Sequence, residues 1–343
     1  MPSSSTSRLP TIVDVARAAG VSRQTVSNVL NSPDVVAPAT RARVETAISD
    51  LNYRPHASAR RLRTRKSSTI GVRLDPMQNG ISGAVLDRYL HALTEQADQR
   101  DLRMLLFTAA DPLDEIGHFR RLLDGADVDS FVLTSTSYDD PRTDWLLEHG
   151  VDFVSFGRPW GRDMSDPQHR WVDVDGHDGV AQATRALLAQ GASRIAFLGW
   201  PVPSGIGNER RRGWRETMLE HGVLDGTGLD ALDLVVEDSV ALASARVQGL
   251  LDQGVTFDAI VCASDSLALG AFMVLAQSVP IVGFDDTPVA KALGLSSVRQ
   301  PVGEVARATL ELLCDPADAE WSGEVGSAED PQHRLLAPSL ILR

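Results

Sequence analysis

The sequence predicts an all-α helix-turn-helix head followed by an α/β body of two doubly wound parallel sheets. Three observations carry that reading. VARAAGVSRQTVSNVLN, Val15 to Asn31, holds two helical repeats around a glycine. From Ser68 onward, short apolar runs alternate with amphipathic stretches in two similar sets, the pattern of parallel sheets covered on both faces. The charge also divides: residues 1–66 contain eleven Lys+Arg against four Asp+Glu, a net of +7, while the remainder, with 22 against 42, carries −20. A basic head on an acidic body confines any polyanionic partner to the head.

At 343 residues the chain has room for several domains, each with its own core. No run approaches the ~18 apolar residues that a membrane span needs. MPSSSTSRLP lacks the apolar region of an export signal, and the two cysteines, Cys262 and Cys314, stand alone. The expectation is a cytoplasmic protein with no membrane partner, disulfide, metal or cofactor. Residues 1–9, Ser-rich and polar, are read as disordered.

In the head, residues 10–54, Thr11 caps a first helix running to about Ala18, and Asp14 lies in its first turn, where an acid suits the helix dipole. Gly20 supplies a turn at positive φ. Ser22 caps a second helix with Val26, Val29 and Leu30 on its inner face. Laid in a major groove, that helix presents Arg23, whose donors match a guanine edge, and Gln24, whose amide donor and acceptor match an adenine edge. A third helix, from about Ala39 to Asp50, turns Val44, Ile48 and Leu51 to one side. Residues 55–67 read as a hinge helix and linker. Pro55 suits a first helical turn, yet Ala57 to Leu62 is far too short to be helical alone. Arg60, Arg61, Arg63, Arg65 and Lys66 surround the single apolar Leu62. Such a segment reads either as a solvated basic linker or as a hinge helix that orders in a minor groove with Leu62 wedged between base steps.

TIVDVARAAGVSRQTVSNVLN, VETAISDLNYRP and the Ala59–Leu62 hinge resemble the LacI/GalR family of bacterial transcriptional repressors, and the resemblance continues through nearly the whole chain. It implies a homodimer on a near-palindromic double-stranded operator. Arg23, Gln24 and Asn28 would read bases. Thr11, Ser22, Thr25, Asn31 and Tyr53 would sit on phosphates, and Ala59 and Leu62 would enter the minor groove.

The body, residues 68–343, opens with strands TIGVRL, MLLFTA, FVLTST and FVSF, separated by helices at Gly83–Gln99, about Asp114–Asp124 and Pro141–His149. A second set follows: a helix from Gly179 to Gln190, the strand RIAFLGW, a helix from Glu209 to His221, and the strands ALDLVV, AIVCAS and IVGF. Helices at Val240–Asp252 and Ser266–Gln277 complete it. The predicted lobes are 68–168 plus 299–316, and 169–298 plus 317–343. Ligands of such folds bind beyond the carboxyl ends of the strands. The resemblance implies a periplasmic-binding-protein-like effector and dimerisation domain with a small molecule between its lobes.

By resemblance, Asp285 in GFDDTP and Arg210 in ERRRGW hold that effector. An acid and an arginine facing one cleft each grip vicinal hydroxyls, the geometry of a carbohydrate site. Gly157, Arg158, Ser264, Ser266, Thr134 and Asp75 are further expected contacts, all at strand ends. Trp160, Trp171 and Trp200 are all open to the role of stacking face. GWPVPSGIGNE reads as a flexible cleft-edge loop, Asp173 and Asp175 in VDVDG as a strand end capping the next helix, and SSVRQP as a structural crossover. The segment between Gly270 and Gly283 is shorter than the family pattern, and LLAPSLILR carries no heptads for a tetramerising coiled coil. No catalytic triad, acid–base pair or zinc motif stands out, so an enzyme is not expected. The alternatives are a regulator answering to a purine-like corepressor and, in another class, a sugar-binding transport or chemosensory protein, which leaves the basic head unexplained.

Overall fold

A computed structural model describes residues 10–53, 67–74, 83–222, 225–314 and 331–343. The chain forms two compact units, residues 1–67 and 68–343. The hinge, with Ala59 and Leu62, the effector candidate Asp75 and the predicted disorder of residues 1–9 lie outside the described residues.

In the first unit, α1 (Ile12–Ala19), α2 (Arg23–Asn31) and α3 (Pro38–Asp50) pack around Val15, Val26 and Val44, all fully buried. The Asp14 carboxylate accepts from the Thr11 backbone at 2.9 Å and from its hydroxyl at 2.6 Å, which fixes the start of α1. Gly20 ends that helix in the left-handed conformation, φ +65°, as the turn requires. Ser22 caps α2 by accepting from the Thr25 amide at 3.0 Å. Three short helices gain little stability from propensity alone; the shared valine core holds them.

The second unit contains two six-stranded sheets. The first is built from β1 (Thr69–Leu74), β2 (Arg103–Thr108), β3 (Ser130–Leu133), β4 (Asp152–Phe156), β5 (Trp171–Val174) and β11 (His333–Leu336), in the order β2-β1-β3-β4-β5-β11. The second comprises β6 (Ile195–Gly199), β7 (Asp233–Val235), β8 (Ala259–Cys262), β9 (Ile281–Phe284), β10 (Ser296–Arg299) and β12 (Ser339–Ile341), in the order β7-β6-β8-β9-β10-β12. Every pairing is parallel except β10 with β12. Both sheets are thus doubly wound, and each takes its last edge strand from the C-terminal stretch.

The lobe limits differ from those predicted. β5 pairs with β4, and β11 with β5, so residues 171–174 and 333–336 belong to the first lobe rather than the second. Alternation of strand and helix marks strands but not the sheet an edge strand joins; hydrogen-bond partners decide that.

Helices α4 (Gly83–Asp98), α5 (Pro112–Asp124), α6 (Pro141–Glu148) and α13 (Val302–Cys314) cover the first sheet. The second is covered by α7 (Gly176–Ala189), α8 (Gly205–His221), α10 (Val240–Asp252), α11 (Asp265–Leu275) and the short α9 (Gly226–Asp230) and α12 (Pro288–Leu293). The stretch read as a flexible loop is partly helical: Ser204 accepts from the Gly207 amide at 3.1 Å, so α8 begins at Gly205. Trp214, Phe197, Phe284 and Ile260 centre the second-lobe core.

A charged knot braces the first lobe. Arg142, 1% exposed, donates to Glu115 at 2.8 Å, to Asp140 at 2.9 Å, and to the carbonyls of Thr134 and Ser135 at 3.1 and 3.2 Å. Arg142→Ala is expected to cost about 3–5 kcal/mol in urea unfolding, because it strands buried carboxylates and carbonyls. It also releases the end of β3 that carries Thr134.

Candidate functional site

Both sheets have their order reversal beside their first strand, between β1 and β3 and between β6 and β8. Crevices open beyond the carboxyl ends of strands at such points. Trp200 follows β6, Ala263 and Ser264 follow β8, Asp285 follows β9, and Thr134 and Gly157 follow β3 and β4. The alternation of strand and helix thereby carries these residues to the facing rims of the two lobes.

Arg210, on α8, is the centre of the second-lobe rim. Its guanidinium carbon lies 3.6 Å from the Phe284 ring centroid and 5.2 Å from that of Trp200. One terminal nitrogen donates to the Ala263 carbonyl at 2.5 Å, while Nε is buried without a hydrogen-bond partner. Burial lowers its pKa, and the charges of Asp285, Asp173, Asp238 and Asp265 oppose that. Asp285 is 7% exposed; Gln300 donates to its Oδ1 at 2.6 Å. Burial pushes its carboxyl up to about 7 against the pull of Arg210. At neutral pH this group is poised between acceptor and donor.

Arg158 occupies the opposite rim. It donates to Asp173 on β5 at 2.9 Å and lies 4.6 Å from the Trp160 ring centroid. Its other side meets Glu209 of α8 at 3.2 Å, an ion pair from one lobe to the other. Two more contacts cross between lobes. Arg88, on α4, donates to the Asp285 carbonyl at 2.6 Å. The Trp160 indole lies on Gly205, where an added Cβ would fall 2.0 Å from the ring; only glycine permits that approach.

Three of the expected effector residues, Arg158, Arg210 and Asp285, therefore come to this region, and Gly157 precedes Arg158 at the end of β4, against Thr136. Thr134, 3% exposed, has a buried hydroxyl without a partner. Ser264 turns instead to structure: it caps α11, accepting from Leu267 at 3.2 Å, and donates to Asp238 at 2.5 Å. Ser266 is fully buried on α11. Of the three tryptophans, Trp171 is packed away, its indole donating to the Met164 carbonyl. Trp160 and Trp200 keep buried indole N–H groups without partners. Asp175 does cap α7, accepting from Asp178 at 2.8 Å. Asp173 does not share that role; it faces Arg158.

Sequence reasoning missed Asp173 as a site residue, together with Glu209, Gln300, Arg88 and Asp238. The only local signals were Glu209 beside Arg210 and Gln300 in the crossover read as structural.

On the head, Arg23 and Gln24 are exposed at the start of α2, and Gln24 donates to Asn28 at 3.0 Å. Ser22 and Thr25 join hydroxyls at 2.9 Å beside them, Thr11 stands at the start of α1, and Asn31 is the last residue of α2. Tyr53, expected on a phosphate, has its ring in the head core, 7% exposed, and burial raises its phenol pKa.

Residues 11–56 match the model of bacterial regulatory proteins of the lacI family, and residues 184–343 match that of a periplasmic binding protein-like domain. The HTH-type transcriptional regulator CelR of Thermobifida fusca is 34% identical over 98% of this chain and 98% of its own length. The chain belongs to the LacI family. It is therefore a helix-turn-helix DNA-binding transcriptional regulator and not an enzyme. HTH-type transcriptional regulator AglR of Rhizobium meliloti (strain 1021) is 32% identical over 96% of the chain and 92% of its own length. A solved CelR–cellobiose complex is 30% identical, with TM-score 0.68, over 97% of this chain and 99% of that one. A lac repressor dimer bound to operator superposes with TM-score 0.77 at 22% identity, over 97% and 98% of the two chains, and shares the fold. Among the described residues, no helix is long and apolar enough to cross a membrane.

Proposed function

We propose that this LacI-family regulator is a cytoplasmic homodimeric repressor whose operator affinity falls when a carbohydrate binds between its lobes. The observation that carries the reading is the chemistry of the facing rims. Arg210 Nε, the indole N–H groups of Trp160 and Trp200, and the Thr134 hydroxyl are buried without partners, and the carboxyl of Asp285 faces Arg210. Buried polar atoms are seldom left unpaired. Donors interleaved with an acceptor and flanked by aromatic faces suit a neutral ring rich in hydroxyls. The cellobiose bound by CelR makes a glucose disaccharide the first ligand to try.

In this reading Arg23, Gln24 and Asn28 read base edges, while Thr11, Ser22, Thr25 and Asn31 hold phosphates. Tyr53 reaches a phosphate only with its hydroxyl, and Leu62 wedges the minor groove. Asp285 and Arg210 grip ring hydroxyls. The bound ring shifts the balance between lobe arrangements that the Arg158–Glu209 pair and the Arg88–Asp285 hydrogen bond also report. Lobe movement alters the spacing of the two hinges across the dimer, and the operator is released by the coupling free energy, about 1–3 kcal/mol in such systems.

The test is a melting-temperature screen of the purified protein against mono- and disaccharides, cellobiose included, and purines. A ligand at a hundred times its dissociation constant adds about 2.7 kcal/mol. A carbohydrate that raises Tm with concentration and releases operator DNA is the expected result. Stabilisation by a purine alone would overturn the carbohydrate reading in favour of a corepressor.

A further inference from the structure

Asp286, immediately after the proposed effector acid, is the most heavily charge-paired side chain near the cleft. It is 0% exposed. Arg343 donates to its Oδ1 at 2.5 Å, Arg299 to Oδ2 at 2.7 Å, and Lys291 stands 3.3 Å from Oδ2. Its own amide donates to Ser297 Oγ at 2.9 Å. Three cations from three different segments are far more than one carboxylate needs for solubility. The backbone supplies a reason. Asp285 has φ +111° and Asp286 φ +48°, two consecutive non-glycine residues in a region that L-residues avoid. Each such residue is strained and persists only where its surroundings over-determine it.

The three cations differ in reach. The side chains of Lys291 and Arg299 are 47% and 46% exposed, whereas that of Arg343 is 20% exposed. Arg343 is also tied elsewhere, its side chain donating to the Leu295 carbonyl at 2.6 Å and its amide to Ser296 Oγ at 3.1 Å. It therefore fastens the 285–286 turn to the entry of β10. The other supports reach different atoms: Gln300 the Asp285 carboxyl, Arg88 the Asp285 carbonyl, and Asp265 the Thr287 amide at 2.7 Å and Ser297 Oγ at 2.7 Å.

We infer that Arg343 is a positioning residue of the effector site: by clamping Asp286 it holds the strained turn that aims Asp285 at the ligand. This rests on the cleft reading of the preceding section. A side chain that never touches the ligand thus sets the geometry of one that does.

Arg343→Ala and Arg343→Lys separate positioning from bulk stability. In ligand-free protein, hydrogen exchange at the amides of Asp286 and Thr287 is expected to accelerate in Arg343→Ala, with Tm close to wild type and operator binding unchanged. Calorimetric titration with cellobiose, or with whichever screened carbohydrate the wild type binds, should show affinity reduced on the order of tenfold. Arg343→Lys, which keeps the charge, should recover most of it. Wild-type exchange at the turn, or wild-type affinity, in Arg343→Ala overturns the inference. So does a loss shared equally by Tm and all exchange rates, which would make Arg343 merely structural. A wild type that binds no carbohydrate while the turn still loosens in Arg343→Ala would instead sink the carbohydrate reading and leave the clamp in place.

Discussion

Asp285→Asn is expected to leave operator binding at the wild-type level while weakening the carbohydrate by on the order of a hundredfold, since turning two charge-assisted hydrogen bonds into neutral ones removes roughly 2–3 kcal/mol in total. The substitution keeps the shape and the Gln300 contact but removes the ionised acceptor. Release of operator DNA followed by fluorescence anisotropy reads the effect directly. Normal release by the wild-type ligand concentration would place the effector elsewhere. The pH dependence supplies an independent signature. The Asp285 carboxyl is raised to about 7, faced by Arg210, Asp265 and Asp238, with Arg88 on its carbonyl. Ligand affinity should therefore rise about tenfold between pH 6 and 8 as the acceptor ionises, and should be flat in Asp285→Asn. Stability runs the other way. The folded state binds a proton that the unfolded carboxyl has released, so this group's contribution declines as pH rises from near 4 to 7 and then levels off. Urea unfolding of the two proteins should converge in acid and separate towards neutrality, with the Asn variant the more stable.

Gln24→Ala should weaken operator binding by about 10–100-fold, the 1–3 kcal/mol of a bidentate adenine contact, and abolish discrimination at one base pair of each half-site. Binding to random DNA, carried by phosphate contacts, should hardly change. The hydrogen bond from Gln24 to Asn28, 3.0 Å across one helical turn, adds a further expectation. Asn28→Ala removes its own contact and also the partner that orients Gln24, so the double variant should lose less than the sum of the singles. Equal losses on operator and random DNA would remove both residues from base reading.

Much of this molecule is legible in its sequence because its elements are local. The valines of α1, α2 and α3, the caps at Thr11 and Ser22, and helix α10 over Val240–Asp252 follow from spacing alone. What escaped was non-local. Arg88 meets Asp285 across 197 residues, and Arg158 meets Asp173 and Glu209 from different elements. No spacing rule joins such partners. Strands β11 and β12, four and three residues long, are too brief for alternation to declare their sheet. Of the Asp173/Asp175 pair, read together as a helix-capping strand end, only Asp175 caps, because β5 runs through Asp173 to Val174 and turns that acid to Arg158.

The two sheets each receive their final strand from residues 333–341, after the chain has already passed through both. A ribosome that has delivered residues up to 330 has therefore exposed two unfinished lobes at once, each with an unpaired edge, while the head has long been complete. The same threading shapes what recombination can do. One crossover between residues 53 and 68 exchanges a whole head for another and costs neither sheet a strand. No single crossover exchanges one lobe for its counterpart. Head and body can thus be exchanged as wholes by shuffling, whereas one lobe cannot be traded without the other.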